Sequence, residues 1–315
     1  MSRSETNTPV VLEPGKDYRS KQDIALHEDI VQYYKECYWD YRTSWLDSHN
    51  LAIHYGYWDE NTKSHSQSLV DMNRLLADTA AIQPGEKVLD AGCGIGGSSI
   101  WLAENRGAQV TGITLSPEQL AMARANAKRR GVSDRVEFQL ADYCATPFAD
   151  ASFDVVWGLE SVCYALSKAD FIREAFRVLK PGGRLVTADG FALRREYSED
   201  EWRVIRICLD GWAIPNLALP EDFRAHLQEA GFADIRYRDI SANTLPSARR
   251  MYVTALLTYP MQRIMAWLRL RTSAQSGNFY TALNQYRIFR DEMAGYGLFC
   301  AVKPKPAKSL FAFWR

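Results

Sequence analysis

The sequence predicts an α/β fold built on a doubly wound parallel sheet. From Lys87 to Ala188, short apolar runs alternate with stretches of helical periodicity, which is the pattern of parallel strands joined by crossover helices. A glycine-rich loop follows the first of these runs directly, as it does in doubly wound sheets that bind nucleotides. A further stretch of about fifty residues with helical periodicity separates the last two apolar runs, and an insertion of this length predicts a folded cap.

Local signals divide the chain into five segments. They are a flexible leader (1–22), an aromatic helical segment (23–80), the core (81–240), a helical cap insertion (241–294), and the last core strand with a tail (295–315). The leader is rich in Ser, Thr, Pro and charge. The aromatic segment is expected to pack its ring-bearing face on the core, and it could in addition roof a ligand pocket.

Seven apolar runs are the expected strands of the sheet. In chain order they are KVLDAG, AQVTGI, RVEFQLAD, FDVVWGL, GRLVTADG, IRYRDI and GLFCAVKP. Helices are expected to end at Gly107, at Gly131 and at the Pro181-Gly182-Gly183 turn, because glycine and proline terminate helices. Ser116 followed by Pro117 predicts a helix start.

Composition excludes several classes of function. The 315 residues carry 38 basic and 38 acidic side chains, so there is no electrostatic footprint for nucleic acid. The six cysteines form no C-x-x-C pair, which argues against a zinc site and a disulfide framework and fits a reducing cytoplasm. The N-terminus lacks an apolar signal core, and the basic, aromatic tail KSLFAFWR predicts at most marginal contact with a membrane surface, without stable insertion.

The loop in VLDAGCGIGGSS predicts an adenosine-like ligand without a phosphate. A dinucleotide site needs an acid at the end of the next strand, and that strand ends in Gly-Ile-Thr-Leu-Ser. Asp90, just before the loop, is placed better for a cationic amino-acid group than for a pyrophosphate. Asp142 follows the third strand, where a carboxylate can accept a hydrogen bond from an adenine amino group. The alternative is a tight turn with no ligand.

Five motifs in order, DAGCGIGG, GITLSPEQ, ADYCATPF, FDVVWGLES and RVLKPGG, resemble the class I S-adenosylmethionine-dependent methyltransferases. GITLSPEQ together with the Glu-Ser after the fourth strand resembles the tocopherol, sterol and isoprenyl-diphosphate C-methyltransferases, and cyclopropane fatty acid synthase relatives share the GITLSP-like segment. The resemblance implies a Rossmann-like seven-stranded sheet, S-adenosylmethionine as the cofactor and S-adenosylhomocysteine as the product.

Carried over by motif, the resemblance also implies the cofactor site. It consists of Asp90, Gly92, Cys93, Gly94, Thr114, Leu115, Gln119, Asp142, Tyr143 and Leu159. Asp90 would reach the cofactor's ammonium group, and Gln119 would supply the ribose hydrogen bonds in place of the usual acid. An exposed helical glutamine is the alternative at Gln119.

The methyl acceptor is expected to be a small lipophilic molecule. Glu160 lies just past the fourth strand, where a carboxylate can take a proton, and the resemblance to the Asn-Glu-Ser segment of the C-methyltransferases implies a catalytic role. Tyr164, one turn on, could bind the acceptor or shield a cation. C-methylation of an isoprenoid-type acceptor with Glu160 as base is the first hypothesis. O- or N-methylation of an aromatic natural product is the second, and a non-catalytic cofactor-binding subunit is the third.

Other acceptor-side residues are weaker candidates. His54 and Tyr55 in IHYGYW could face the acceptor, although a structural role is the ordinary one for such a histidine. Arg249 and Arg250 could clamp a diphosphate if the acceptor carries one; a solvated pair is the alternative. No metal site is expected, and the aromatic N-terminal helix is compatible with a homo-oligomer.

Overall fold

The computed structural model describes residues 9–20, 25–44 and 50–306. Trp45 of the aromatic segment, both ends of the expected leader and the KSLFAFWR tail lie outside the described residues. The strands are β1 (Val10–Val11), β2 (Lys87–Ala91), β3 (Gln109–Thr114), β4 (Val136–Leu140), β5 (Phe153–Leu159), β6 (Leu179–Ala192), β7 (Glu196–Tyr197), β8 (Ala233–Asp239) and β9 (Ala294–Val302). The helices are α1 (Leu26–Ser44), α2 (His65–Thr79), α3 (Gly97–Arg106), α4 (Pro117–Arg130), α5 (Lys168–Val178), α6 (Glu199–Gly211), α7 (Pro220–Glu229), α8 (Ser241–Trp267) and α9 (Ser273–Arg290).

Seven strands form one sheet in the order β4-β3-β2-β5-β6-β9-β8. The strands from β4 to β6 pair in parallel, as expected. β9 runs antiparallel to both of its neighbours, so the seven-stranded sheet as a whole is mixed. The reason lies in the cap: β9 begins with Ala294 opposite Ala192, the last residue of β6. The α8–α9 hairpin begins and ends at the carboxyl edge of the sheet. β9 therefore starts at that edge and runs in the direction opposite to β6.

Helix boundaries follow the expected signals in most places. Ser116 caps α4, accepting the Gln119 N–H with its hydroxyl, and Pro117 occupies the first helical position. Gly107 and Gly131 end α3 and α4 in the left-handed conformation. The Pro181-Gly182-Gly183 turn is different: α5 ends earlier, at Val178, and the turn belongs to β6.

Part of the expected flexible leader packs on the core. Val10 and Val11 pair with the short strand β7. Leu12 is buried, and so is Arg19, which forms ion pairs with Asp17 and Asp29. A short apolar run and a paired arginine are enough to order residues 9–20 despite their polar composition.

Four helices, α1, α6, α8 and α9, cover the carboxyl edge of the sheet. α1 contacts the connection between α8 and α9 through the Arg271–Asp40 ion pair, and it contacts α9 through the Tyr33 hydroxyl, which donates to Asn278. α6 and α9 approach closely, since a Cβ built on Gly211 would lie 2.1 Å from Thr281 Oγ1. In residues 9–20, 25–44 and 50–306, no helix is both long and apolar enough to cross a membrane.

Candidate active site

Two adjoining cavities lie at the carboxyl edge of the sheet. The first, the glycine-loop cavity, is bounded by the loop after β2, the ends of β3 to β5, and α1. The second, the cap cavity, has a volume of about 500 Å³ and lies between the sheet and the four covering helices. Tyr34, Ile53, Glu160 and Tyr164 line both cavities and therefore mark their boundary.

Backbone geometry explains the glycines of the loop. Gly92 has φ +96°, and a Cβ there would lie 2.4 Å from Cβ of Ser161, so no larger residue fits. Gly94 has φ +53° and open space where a Cβ would point. The loop backbone therefore leaves room for a ligand to approach it closely.

Asp90 is a buried carboxylate at the floor of this cavity. Its Oδ2 accepts a 2.5 Å hydrogen bond from Ser99 Oγ. Burial raises the pKa of Asp90 to about 6, against the opposing effect of the Ser99 hydrogen bonds. A cation placed beside this side chain would favour its ionised form, so the floor suits an ammonium group.

Gln119 is buried in the first turn of α4. The Thr114 hydroxyl donates to Gln119 Oε1 at 2.8 Å. The amide nitrogen of Gln119 has no partner within the described part of the chain and remains available to a ligand. Gln119 lines the glycine-loop cavity, which disfavours the alternative of an exposed helical glutamine.

Of the two residues expected at the adenine site, Tyr143 lines the cavity and Asp142 does not. Tyr143 lines the glycine-loop cavity and donates from its hydroxyl to the Ser161 carbonyl at 2.8 Å. Asp142 does not line the cavity: its Oδ1 accepts the Cys144 N–H, and its Oδ2 lies 3.5 Å from Nε2 of His27. The turn after β4 thus directs Asp142 toward α1, a contact that a motif comparison cannot reveal.

The remaining cofactor candidates come together in the glycine-loop cavity. Those that line it are Asp90, Gly92, Cys93, Gly94, Thr114, Leu115, Gln119, Tyr143 and Leu159. They originate from the ends of four strands, so the sheet itself brings them to one edge. Their donor set, a carboxylate, an amide and glycine backbone groups beside open space at Gly94, fits a zwitterionic amino acid joined to a nucleoside.

α1 forms the roof of this cavity. Ile30, Val31 and Tyr34 line it from above, together with residues 51–54. The carbonyl of Leu51 also packs on the loop, because a Cβ on Gly97 would lie 2.5 Å from its oxygen. Of the two roles considered for the aromatic segment, the structure therefore shows the roof as well as the packing.

Glu160 stands at the boundary of the two cavities. It follows β5 directly and adopts φ +48°, a left-handed conformation that is costly for glutamate and occurs mostly where function requires it. Its Oε1 accepts the Tyr55 N–H at 2.6 Å and the Tyr296 hydroxyl at 2.7 Å. Within the described residues no donor reaches Oε2, so this oxygen can meet an acceptor.

The environment of Glu160 favours the protonated form. Burial raises the pKa of Glu160 to about 8, while the hydrogen bonds from Tyr296 and Tyr55 act in the opposite direction and the charge of Asp189 adds to the rise. A carboxyl group with a pKa near neutrality is suited to exchange a proton with a bound molecule. A carboxyl of ordinary pKa would be a weaker base.

Two tyrosines complete the boundary. The Tyr34 hydroxyl donates to the Tyr164 hydroxyl at 2.9 Å. Both rings line both cavities, so Tyr164 lies at the boundary between them. Tyrosine rings at this point can stabilise a positive charge through their faces.

His54 and Tyr55 face different cavities. His54 lines the glycine-loop cavity, and its Nδ1 donates to the Tyr55 carbonyl at 2.9 Å. Burial lowers the pKa of His54 to about 4, so the imidazole is neutral at physiological pH. Tyr55 lines the cap cavity, and its hydroxyl donates to Gln285 Oε1 at 2.7 Å.

The structure does not bring Arg249 and Arg250 to either cavity. Both lie on α8, and both are exposed. Arg249 precedes the cavity-lining Met251 by two positions and Thr254 by five, which places it on the opposite side of the helix.

The cap cavity is apolar with few charges. Its carboxyl groups are Asp40, Glu160 and Asp189, and among the described residues its one basic side chain is Arg271. Arg271 is 5% exposed and forms an ion pair with Asp40 at 2.7 Å. No cluster of three or more His, Cys, Asp or Glu side chains arranged to hold a metal ion occurs in residues 9–20, 25–44 and 50–306.

Sequence reasoning missed several residues of this site. Tyr296 lies one residue before the expected strand GLFCAVKP, and nothing in its surroundings links it to Glu160, which is 136 positions away. Trp212, Leu209 and Ile205 line the cap cavity from α6 and the turn after it, a segment with no motif. The amphipathic spacing of α6 was the one signal that could have suggested them.

Comparisons with known proteins identify the relatives of this chain. Residues 89–187 match a family model described as "Methyltransferase domain". The 27-O-demethylrifamycin SV methyltransferase of Amycolatopsis mediterranei is 34% identical over 253 residues, which cover 80% of this chain and 90% of that protein. The 2-methyl-6-phytyl-1,4-hydroquinone methyltransferase of Synechocystis sp. is 37% identical over 249 residues, covering 74% of this chain and 73% of the relative. Among solved structures, the [4+2]-cyclase SpnF matches with a TM-score of 0.73 and 27% identity, over 90% of this chain and 98% of that one.

Proposed function

We propose, given that the chain belongs to the class I S-adenosylmethionine-dependent methyltransferases, that it methylates a small, uncharged, lipophilic acceptor bound in the cap cavity. The proposed acceptor is isoprenoid-type, the methylated atom is carbon, and Glu160 takes the proton that is released. The observation that carries this proposal is the position of Glu160, which lines both the glycine-loop cavity and the cap cavity.

The glycine-loop cavity would hold the cofactor. When bound, S-adenosylmethionine supplies a methyl group already activated by a sulfonium charge. Asp90 would bind its ammonium group, and the backbone of Gly92 and Gly94 would lie against the methionine part. Gln119 would bind the ribose through its amide nitrogen. The protein's main task is then to position the acceptor in line with the methyl group.

The cap cavity favours an acceptor without a phosphate. Its one basic side chain among the described residues, Arg271, is held by Asp40. A diphosphate buried there would have no unpaired cation to meet it, and burying such a charge is costly. Within the isoprenoid class, a prenylated quinol or a sterol-like molecule therefore fits better than an isoprenyl diphosphate.

Glu160 would complete a carbon methylation. The acceptor's double bond attacks the methyl carbon, a carbon–carbon bond forms, the carbon–sulfur bond breaks, and positive charge is left on the acceptor. The rings of Tyr34 and Tyr164 would stabilise that charge. Loss of a proton to Oε2 of Glu160 then restores the double bond.

Methylation of oxygen is the second candidate. It is favoured by the name of the Amycolatopsis relative, which is a methyltransferase for a 27-O-demethyl compound. In this reaction Glu160 would take the hydroxyl proton as oxygen attacks the methyl group. The same boundary position serves both reactions, and the two differ in how strongly they need the base.

The test is incubation of the protein with S-adenosylmethionine and a panel of prenylated quinols, sterols and phenols, with products read by mass spectrometry. Glu160→Gln should abolish a carbon methylation that ends in proton loss but only slow methylation of an ionised phenol. Glu137→Gln is the matched control, because Glu137 is exposed on β4 and bonds only Thr111 among the described residues. Carbon methylation that survives Glu160→Gln would refute the assigned role.

A further inference from the structure

Helix α8 is apolar on two opposite faces. Its inner face, with Met251, Ala255 and Thr258, lines the cap cavity. Its outer face bears residues spaced by three and four positions and turned away from that cavity. They are Val253, Leu256, Leu257, Pro260, Ile264 and Trp267. A helix that is apolar all round is normally buried.

The outer face of α8 is exposed. Leu257 is 79% exposed and Trp267 is 80% exposed. The apolar surface continues past the end of the helix through Leu268 and Leu270, which are also exposed. A contiguous apolar surface of this kind marks a site of interaction with a membrane or another protein.

The arginines near the outer face of α8 favour an anionic membrane as the partner. Residues 241–290, which contain α8 and α9, include seven arginines and no Asp, Glu or Lys, whereas the whole chain is balanced at 38 basic and 38 acidic residues. Three of the seven are ion-paired: Arg271 with Asp40, and Arg287 and Arg290 with Asp291. Arg249 and Arg263 lie on the outer side of α8 with the apolar residues. An apolar helix face flanked by arginines is typical of segments that lie in the interface of an anionic lipid bilayer.

Met261 connects this outer face to the cap cavity. It lines the cavity and is at the same time 55% exposed. The cavity therefore reaches the surface of the protein beside the exposed leucines, rather than on the far side of the cap.

We propose that the outer face of α8 docks on a membrane surface rich in anionic lipid, and that the acceptor passes from the lipid into the cap cavity beside Met261. The docking step stands on the surface of α8 alone, while the entry of the acceptor rests on the proposed function. A second copy of the chain is a poorer occupant, since two outer faces would bring together Arg249 and Arg263 of both copies, and α8 carries no acid to pair with them.

The first test is sedimentation of the full chain with vesicles of phosphatidylcholine, alone or with about a third phosphatidylglycerol. The protein should bind the anionic vesicles, and binding should weaken at high salt because the arginine contribution is screened. The double variant Leu257→Glu/Trp267→Glu should bind at least about tenfold more weakly. Leu140→Glu is the matched control, since Leu140 is half exposed at the end of β4 and lies outside the cap.

Each outcome of the vesicle test bears on the docking proposal. If the wild-type chain does not bind anionic vesicles, the docking proposal is overturned. A chain that is dimeric in light scattering and becomes monomeric in the double variant also overturns it, because the outer face is then a subunit interface. Thermal melting of both variants separates loss of docking from loss of fold.

A second assay separates docking from the proposed function. Methyl transfer is measured with the acceptor presented in anionic vesicles and in neutral detergent micelles. The double variant should lose activity at least about tenfold in vesicles while keeping it in micelles. Equal activity of variant and wild type in vesicles overturns entry from the membrane. Vesicle binding without methyl transfer to any acceptor would refute the proposed function and leave the docking intact.

Discussion

The Tyr296 hydroxyl opposes the effect of burial on the pKa of Glu160, and removal of that one oxygen atom tests this contribution. Tyr296→Phe removes the hydroxyl that donates to Glu160 Oε1 at 2.7 Å and keeps the ring. The Tyr55 N–H remains as the second donor. Since the Tyr296 bond lowers the pKa of Glu160 against the effect of burial, its loss must raise that pKa further.

The size of the effect follows from the two protonation states. A hydrogen bond to a buried carboxylate contributes about 1.5–3 kcal/mol, and one to the neutral acid about 1 kcal/mol. The difference is about 0.5–2 kcal/mol, and the middle of that range corresponds to about one pKa unit. The pKa of Glu160 in the free enzyme should therefore move from about 8 to roughly one unit higher in the variant.

The assay is the pH profile of kcat/KM for methyl transfer, which reports groups of the free enzyme. A base acts in its ionised form, so the rate should rise with pH through the pKa of Glu160. In Tyr296→Phe this rise should occur about one unit higher, and the rate near pH 7 should fall about tenfold and recover in alkali. Tyr55→Phe is the control: its backbone N–H still binds Glu160, so the position of the rise should stay where the wild type has it. A Tyr296→Phe profile that keeps the wild-type position, in a variant of unchanged stability, would refute Glu160 as the base.

Three further predictions concern the two cavities. Asp90→Asn should weaken binding of S-adenosylmethionine at least about tenfold in calorimetry. Because the folded pKa of Asp90, about 6, exceeds the unfolded value, the ionised carboxylate destabilises the folded protein; this destabilisation is absent at low pH and complete above about pH 6. The variant should therefore raise the free energy of unfolding of the ligand-free protein at pH 8 by up to about 3 kcal/mol. Gly94→Ala and Gly85→Ala both force alanine to positive φ with open space at Cβ, so each should lower the free energy of unfolding by about 1 kcal/mol. Only Gly94→Ala should weaken binding of S-adenosylhomocysteine. Equal affinities of the two variants for this ligand would contradict the proposed contact between the loop backbone and the cofactor. Ala255→Trp narrows the cap cavity and should raise KM at least about tenfold for acceptors with long prenyl chains while sparing short ones, and a uniform change across chain lengths would argue against that cavity as the acceptor site.

Local signals predicted those parts of the molecule that depend on nearby residues. The strands, the Ser116 cap and the glycine loop depend on residues a few positions apart, and all but one of the cofactor residues that the motifs predicted line the glycine-loop cavity. Contacts between distant segments could not be predicted. The bond between Tyr296 and Glu160, the turn of Asp142 toward His27 and the antiparallel direction of β9 all depend on how the cap returns to the sheet.

The cap cavity could not be predicted from the sequence either, because it depends on how distant helices pack. Its walls come from α1, α6, α8 and α9, which are far apart in the chain and carry no shared motif. Helical periodicity in the sequence predicts that each helix buries a face, but not which empty space those faces enclose. Arg249 and Arg250 illustrate this: their chemistry suits a phosphate, but the rotation of α8 keeps them away from both cavities.

The left-handed turn at Glu160 is fixed by the sheet, whereas much of the cap cavity beside it is built from helices. The carboxyl group depends on the sheet for its position, through β5 and the bond from its N–H to the Ala188 carbonyl at 2.9 Å. The walls of the cap cavity depend largely on helices outside the sheet. Sequence changes in those helices can therefore reshape the cap cavity without moving Glu160. The cap is also the natural segment to replace when engineering a new substrate range.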